Sequence, residues 1–230
     1  MSGGPPLIVA IDGPSGVGKS TAARLLAERL RVPYLDPGAM YRAVALAALE
    51  RGIDPADEGA VGDLVAGLDL RLEREAAGGL AVLLDGRPVG PRIRTPTVGE
   101  ATSTLSAHPR VRARLVELQR ACAGRGGAVV EGRDIGSKVF PETPYKFFLD
   151  ARPDVRFVRR QRQLACAGEP ASLGEVAQEI TRRDHRDRHR ADSPLRRDPS
   201  YVLIDTSELR PEEVVERMLQ VVRAPAATRG

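Results

Sequence analysis

Asparagine and tryptophan are absent from the 230 residues, and only three histidines and two cysteines occur. Without asparagine the guanine-reading Asn-Lys-x-Asp element cannot exist, and no Asp-x-x-Gly is present either, so a GTPase is not expected. Cys122 and Cys166 have no metal-like spacing, and they fit a reduced, cytoplasmic chain with no bridge between them. His108, His185 and His189 are too dispersed for a three-histidine site. His185 and His189 stand at i, i+4, yet lack a third ligand, so solvated or phosphate-adjacent roles are expected. Aromatic residues make up 3%, too few to interleave with basic ones as base-stacking platforms. No apolar run approaches membrane-spanning length, and the N-terminus lacks the charged-then-apolar layout of a signal peptide, so no membrane partner is expected.

Lysine is nearly missing too: of the 35 basic residues only Lys19, Lys138 and Lys146 are lysines. The net charge of +4 and isoelectric point near 9.4 favour anionic partners, nucleotides and nucleic acids alike. At 42% hydrophobic residues the chain can bury a sizeable core, as one large α/β domain with inserted lobes or as two small domains.

One of the rare lysines completes the most informative element, Gly13-Pro14-Ser15-Gly16-Val17-Gly18-Lys19-Ser20, a Gly-x-x-x-x-Gly-Lys-Ser phosphate loop. The apolar run Leu7–Ile11 precedes it, and Thr21–Leu30 follows with apolar residues on one helical face. Strand, loop and helix are the context this motif requires. Its glycines let backbone N–H groups converge on phosphates, and the helix N-terminus adds partial positive charge. Lys19 is expected to reach the β- and γ-phosphates, and the Ser20 hydroxyl to take a Mg²⁺ position. A compact ammonium suits the loop where a guanidinium fork is too large.

Four more short apolar runs predict buried parallel strands: Val32–Leu35, Ala128–Glu131, Tyr145–Asp150 and Tyr201–Asp205. Arg110–Ala123 and Pro211–Val222 read as helices, the latter with proline and acids in its first turn. Met1–Pro6 and Ala224–Gly230 read as frayed ends. Leu68–Arg74 alternates apolar and charged, and a turn at 76–79 leads to a partner strand Leu80–Leu84, with a further turn at Asp85-Gly86. This predicts a β-rich lobe over 64–107. A charged helical hairpin over 155–192, broken near Gly168-Glu-Pro170, predicts a lid, leaving 1–63, 108–154 and 193–230 as the core. Two such lobes suit closure over two substrates.

The hairpin ends with five arginines among the nine residues Arg182–Arg190. If helical, it puts Arg183, Asp187 and Arg190 on one face with Arg186 nearby. Phosphoryl transfer needs guanidiniums opposite a phosphate loop; the plainer alternative is a solvated helix with Arg183–Asp187 and Asp184–Arg188 pairs. Glu131-Gly-Arg-Asp-Ile-Gly136 ends a predicted strand, where open α/β sheets bind ligands. There Arg133 can fork a phosphate, and Asp134 can accept from an exocyclic amine or hold a metal-bound water, unless the two form a surface ion pair. Asp36–Arg42 also follows a strand. Tyr41 can pack on a substrate or in the core, and Arg42 can ligate a phosphate.

The order I-D-G-P-S-G-V-G-K-S-T, D-x-G-A-M-Y-R, P-R-V-R, E-G-R-D-I-G, V-F-P and R-R-D-x-R-D-R-x-R resembles the bacterial cytidylate kinase family, from about residue 7 to 222. The resemblance implies a P-loop kinase with a five-stranded parallel sheet flanked by helices, a β-rich monophosphate-binding insert and an Arg-rich lid. It implies transfer of the γ-phosphoryl of Mg-ATP to CMP and dCMP, in pyrimidine nucleotide metabolism, by a monomer that needs no nucleic acid. ATP phosphates would lie on Gly13–Thr21. Ser103, Arg112 and Asp134 match cytosine-reading positions, and Arg183 and Asp187 ribose-binding ones. Tyr41, Arg42, Arg133 and Arg190 match the acceptor-phosphate region, and Arg186 and Arg188 lid arginines facing the transferred group. UMP, lacking the amino donor, would leave Asp134 unpaired. Pro37 departs from the serine or threonine usual in relatives, so weaker CMP binding with little change in the chemical step is expected, or compensation by Arg42 or a water. The rival readings are a kinase for another small acceptor such as UMP, and an RNA-binding ATPase.

Overall fold

Val9, Ala10 and Ile11 are wholly buried in β1 (Ile8–Asp12), as an unbroken apolar run is when both faces of a parallel sheet are covered. The computed structural model describes residues 6–74, 80–124, 126–166, 168–190 and 192–224. These fall into two compact units, one of residues 6–7 and 31–130, the other of 8–30 and 131–224.

In the second unit β1 leads through the phosphate loop into α1 (Lys19–Leu30). A single wide helical turn, Ile135–Val139, follows residue 134 and closes with Phe140 N–H donating to the Ile135 carbonyl. Then come β7 (Lys146–Asp150), α6 (Pro153–Cys166), α7 (Leu173–His189), β8 (Val202–Asp205) and α8 (Pro211–Arg223). The break between α6 and α7 falls where expected: Gly168 has φ +79°, and Ser172 and Glu175 cap α7 reciprocally. Leu26, Phe147, Leu149, Met218 and Leu219 form the core, with α8 packed on α1.

The first unit holds β2 (Tyr34–Leu35), α2 (Pro37–Glu50), α3 (Glu58–Gly67), the antiparallel β3 (Leu70–Arg74), β4 (Leu80–Leu84) and β5 (Arg87–Pro88), α4 (Pro96–Leu105) and α5 (Pro109–Ala123). β2 starts later than expected because Pro33 has no N–H to give the ladder; its carbonyl still accepts from Val129. Asp85 and Gly86 turn with φ +50° and +75°, reversing β4 into the short β5. The predicted turn at 76–79 lies outside the described residues. Residues 64–107 are less β-rich than expected: Thr95 caps α4 through Val98 N–H, and Pro96 sits at its first position. α2 is buried on most sides (Met40, Ala43, Val44, Ala45, Ala47 and Ala48) and packs on α4 and α5.

With β6 (Ala128–Gly132), the strands of the large sheet run in the order β2-β6-β1-β7-β8. Tyr34 faces Val129, Ala10 faces Lys146 and Phe148 faces Leu203, all in parallel register. This is the expected five-stranded parallel sheet.

Candidate active site

Gly13 begins the loop with φ +151°, and a Cβ there would lie 2.1 Å from the Leu149 carbonyl oxygen. Only glycine lets the chain leave β1 this close to β7. Gly16, at φ +80°, backs onto α6, where a Cβ would meet the Arg156 carbonyl at 2.9 Å. The resulting turn buries Lys19 and aims its Nζ at the Pro14 carbonyl, 2.6 Å away. Burial, then the Arg133 guanidinium and more weakly Arg183, pull the Lys19 ammonium down to about 7, against the opposing pull of Glu131. At the second residue of α1, the exposed Ser20 hydroxyl donates to Glu131 Oε1 at 2.8 Å. Glu131 is itself buried, at the carboxyl end of β6.

Arg133 and Asp134 follow directly. Arg133 Nε donates to Asp187 Oδ2 at 2.7 Å, and Arg190 Nη2 stands 3.2 Å from Asp134 Oδ1. Burial pushes the Asp187 carboxyl up, but Arg133, Arg183 and Arg190 together hold it below its ordinary value. α7 therefore delivers Arg183, Asp187 and Arg190 to the residues around Lys19, as the helical spacing predicts. The Gly132–Val139 turn is fixed from below by Asp12, the wholly buried last residue of β1. Asp12 accepts from Ile135 N–H (2.9 Å), Gly136 N–H (2.8 Å) and the Tyr201 hydroxyl (2.7 Å). Burial nonetheless raises its carboxyl to about 6, the three hydrogen bonds opposing that rise.

The first unit carries the other expected residues. Asp36 caps α2 through Ala39 N–H and pairs with Arg42 Nη2 at 3.0 Å. Arg42 Nε is buried with no hydrogen-bond partner among the described residues. Tyr41 and Arg42 on α2, Ser103 on α4 and Arg112 on α5 lie on helices that pack together. Arg112 is buried and reaches the Ser106 carbonyl at 3.4 Å.

A model of the cytidylate kinase family matches residues 9–224. The chain belongs to the cytidylate kinase family. It is 46% identical over 217 residues to the cytidylate kinase of Symbiobacterium thermophilum, covering 94% of this chain and 96% of that one. The cytidylate kinase of Rhodococcus jostii is 47% identical, with 94% of each chain covered. An uncharacterized protein from Eubacterium ventriosum shares the fold at a TM-score of 0.53 and 14% identity, over 94% of this chain and 98% of that one. Membership of the cytidylate kinase family makes the chain an ATP-dependent phosphotransferase.

Against the solvated-helix alternative, two carboxylates of α7 turn inward. Asp184 does not pair with Arg188: its Oδ2 accepts from Arg156 Nη1 at 2.5 Å and its Oδ1 from Ser15 N–H at 3.1 Å. Asp187 takes Arg133 for its hydrogen bond. Arg183, Arg186 and Arg188 remain exposed. The spacing of the motifs did not single out Asp12, Glu131, Arg156, Asp184 or Tyr201. For Glu131 a signal existed: a carboxylate ending a strand beside a phosphate loop is placed to serve its metal.

Proposed function

We propose that the chain transfers the γ-phosphoryl group of Mg-ATP to CMP and dCMP, giving ADP and the diphosphate. The observation that carries this is the buried Lys19 over the loop, with Arg133, Arg183, Asp187 and the Asp134–Arg190 pair gathered around it. In this reading Gly13–Thr21 cradle the ATP phosphates, and Lys19 neutralises charge on the β- and γ-groups. Ser20 and Glu131 are hard oxygen donors in direct contact, which suits a Mg²⁺ ion, Ser20 as ligand and Glu131 through its water shell. The ion, when bound, neutralises phosphate charge and orients the oxygens.

On the acceptor side Asp134, as a carboxylate, can only accept, and so favours the exocyclic amine of cytosine over the carbonyl of uracil. Ser103 and Arg112 complete the base contacts, and Arg183 and Asp187 hold the ribose. The acceptor phosphate falls to Tyr41, Arg42, Arg133 and Arg190; the unpartnered Arg42 Nε supports an anion there. Arg186 and Arg188, on the exposed side of α7, face the transferred group. Residues 64–107 serve as the acceptor lobe and 155–192 as the lid of a monomer working in the cytoplasm. No helix among the described residues is long and apolar enough to cross a membrane.

Coupled ADP release with CMP, dCMP, UMP, AMP and GMP as acceptors tests this. Turnover strongest with CMP is expected. Intact ATP binding without turnover on any monophosphate would overturn it.

A further inference from the structure

Beyond Asp12 and the reacting residues, the most buried charges of the second unit are Arg156 on α6 and Asp184 on α7, at 6% and 3% exposure. They meet each other at 2.5 Å, and both meet one residue of the phosphate loop. Asp184 Oδ1 accepts from Ser15 N–H, and Arg156 Nη1 donates to the Ser15 carbonyl at 3.1 Å. Ser15 N–H and the Pro14 carbonyl belong to the same peptide plane, and in a trans peptide the two point in opposite directions. The Pro14 carbonyl is the group that holds Lys19 Nζ. One plane is thus gripped at its N–H edge by Asp184 and at its C=O edge by Lys19.

We propose that Asp184 and Arg156 are positioning residues for Lys19: by gripping Ser15 they fix the Pro14–Ser15 peptide so that the Pro14 carbonyl stays aimed at the ammonium. Released, that peptide could rotate about the ψ of Pro14 and the φ of Ser15, the two soft torsions that flank it. The carbonyl would then turn away and Lys19 would lose its hydrogen bond to it. A bracing role alone does not require charge. Buried ion pairs are commonly replaced by apolar groups of similar volume without loss of stability. Apolar groups cannot accept from Ser15 N–H, and that acceptor is what the loop needs. The same helix carries Arg183 and Asp187, so the element that faces Lys19 with these residues also sets the loop beneath it.

The inference rests on ATP being the ligand of this loop, and the test separates the two. D184L/R156M, an apolar pair, and D184N, which keeps the shape, are compared with the native chain for melting temperature and for calorimetric binding of Mg-AMP-PNP. Expected is a double variant that melts close to the native temperature yet binds the analogue roughly tenfold or more weakly, as the loss of a charge-assisted hydrogen bond implies. D184N, whose amide oxygen can still accept from Ser15 N–H, should bind more tightly than the double variant. Native-like binding by the folded double variant, or binding by folded D184N no tighter than the double variant's, overturns the proposal. Hydrogen exchange of the Ser15 amide in the ligand-free native chain judges it without any variant: slow exchange is expected, and exchange at the rate of an open loop overturns it. Failure of the native chain to bind Mg-AMP-PNP would instead overturn the ATP reading, while the exchange result would still stand on its own.

Discussion

A lysine held down to about 7 is half-neutral at the pH where the chain would work, and a polyphosphate arriving beside it restores the missing charge. Binding of Mg-ATP above pH 7 is therefore expected to take up protons, and affinity to fall as pH rises from about 7 towards the pKa of the occupied state. Calorimetry in two buffers of different ionisation heat measures the uptake; equal heats in both would remove Lys19 from this role. Arg188 presents the opposite situation, exposed on α7 and proposed to meet charge only as it develops. Arg188→Ala should lower kcat by about a hundredfold or more with melting temperature unchanged; steady-state kinetics with both substrates decide it. What was legible at this scale follows distance along the chain. Gly13–Ser20 and Arg182–Arg190 are contiguous, so their chemistry could be read from spacing. Asp12, Glu131, Arg156, Asp184 and Tyr201 act across gaps that spacing does not span, Tyr201 reaching Asp12 over 189 positions.

Among elements, β1, the 135–139 turn and the entry to β8 meet at Asp12, and the joint is pH-sensitive in a calculable direction. The folded value of about 6 lies above the ordinary 3.8, so the stability Asp12 contributes is complete below about 3.8 and lost as pH rises through about 6. The Tyr201 hydroxyl lowers that value, so its removal hurts most where Asp12 is charged. Tyr201→Phe should cost about 1.5–3 kcal/mol at pH 7.5, as a bond to a charged group does, and about 0.5–1.5 kcal/mol at pH 5. Urea denaturation at both pH values checks this, and equal losses would refute it. Pro37 is explained by α2 rather than by chemistry: it occupies the first helical position, where no N–H is needed, beside the Asp36 cap. Pro37→Ser should then lower the KM for CMP at unchanged kcat, at a cost to stability of about 0.4–1 kcal/mol. Initial-rate kinetics give the KM, and an unaltered value would retire the idea of a missing hydroxyl.

At the scale of the molecule the parallel sheet was legible because its strands are uninterrupted apolar runs, and the β3–β4 pair because it alternates. The helices within 58–105 were not, since α3 and α4 are short and rich in glycine and threonine, and their caps rather than their periodicity define them. The unit that bears the phosphate loop is assembled from two stretches, 8–30 and 131–224. A chain ending at Asp198 keeps the whole loop motif but loses Tyr201, β8 and the α8 that packs on α1. It is expected to bind no Mg-AMP-PNP by calorimetry; binding at native affinity would show the first stretch to be self-sufficient. The same discontinuity has a meaning during translation. The loop leaves the ribosome well before its supporting partners at Asp184, Tyr201 and α8, which follow roughly 160 to 200 residues later. At roughly 5–20 residues per second, the nascent loop waits on the order of ten seconds or more for them. For that interval the phosphate-binding sequence lacks the elements that hold it, and nucleotide binding is expected to wait until α8 has emerged.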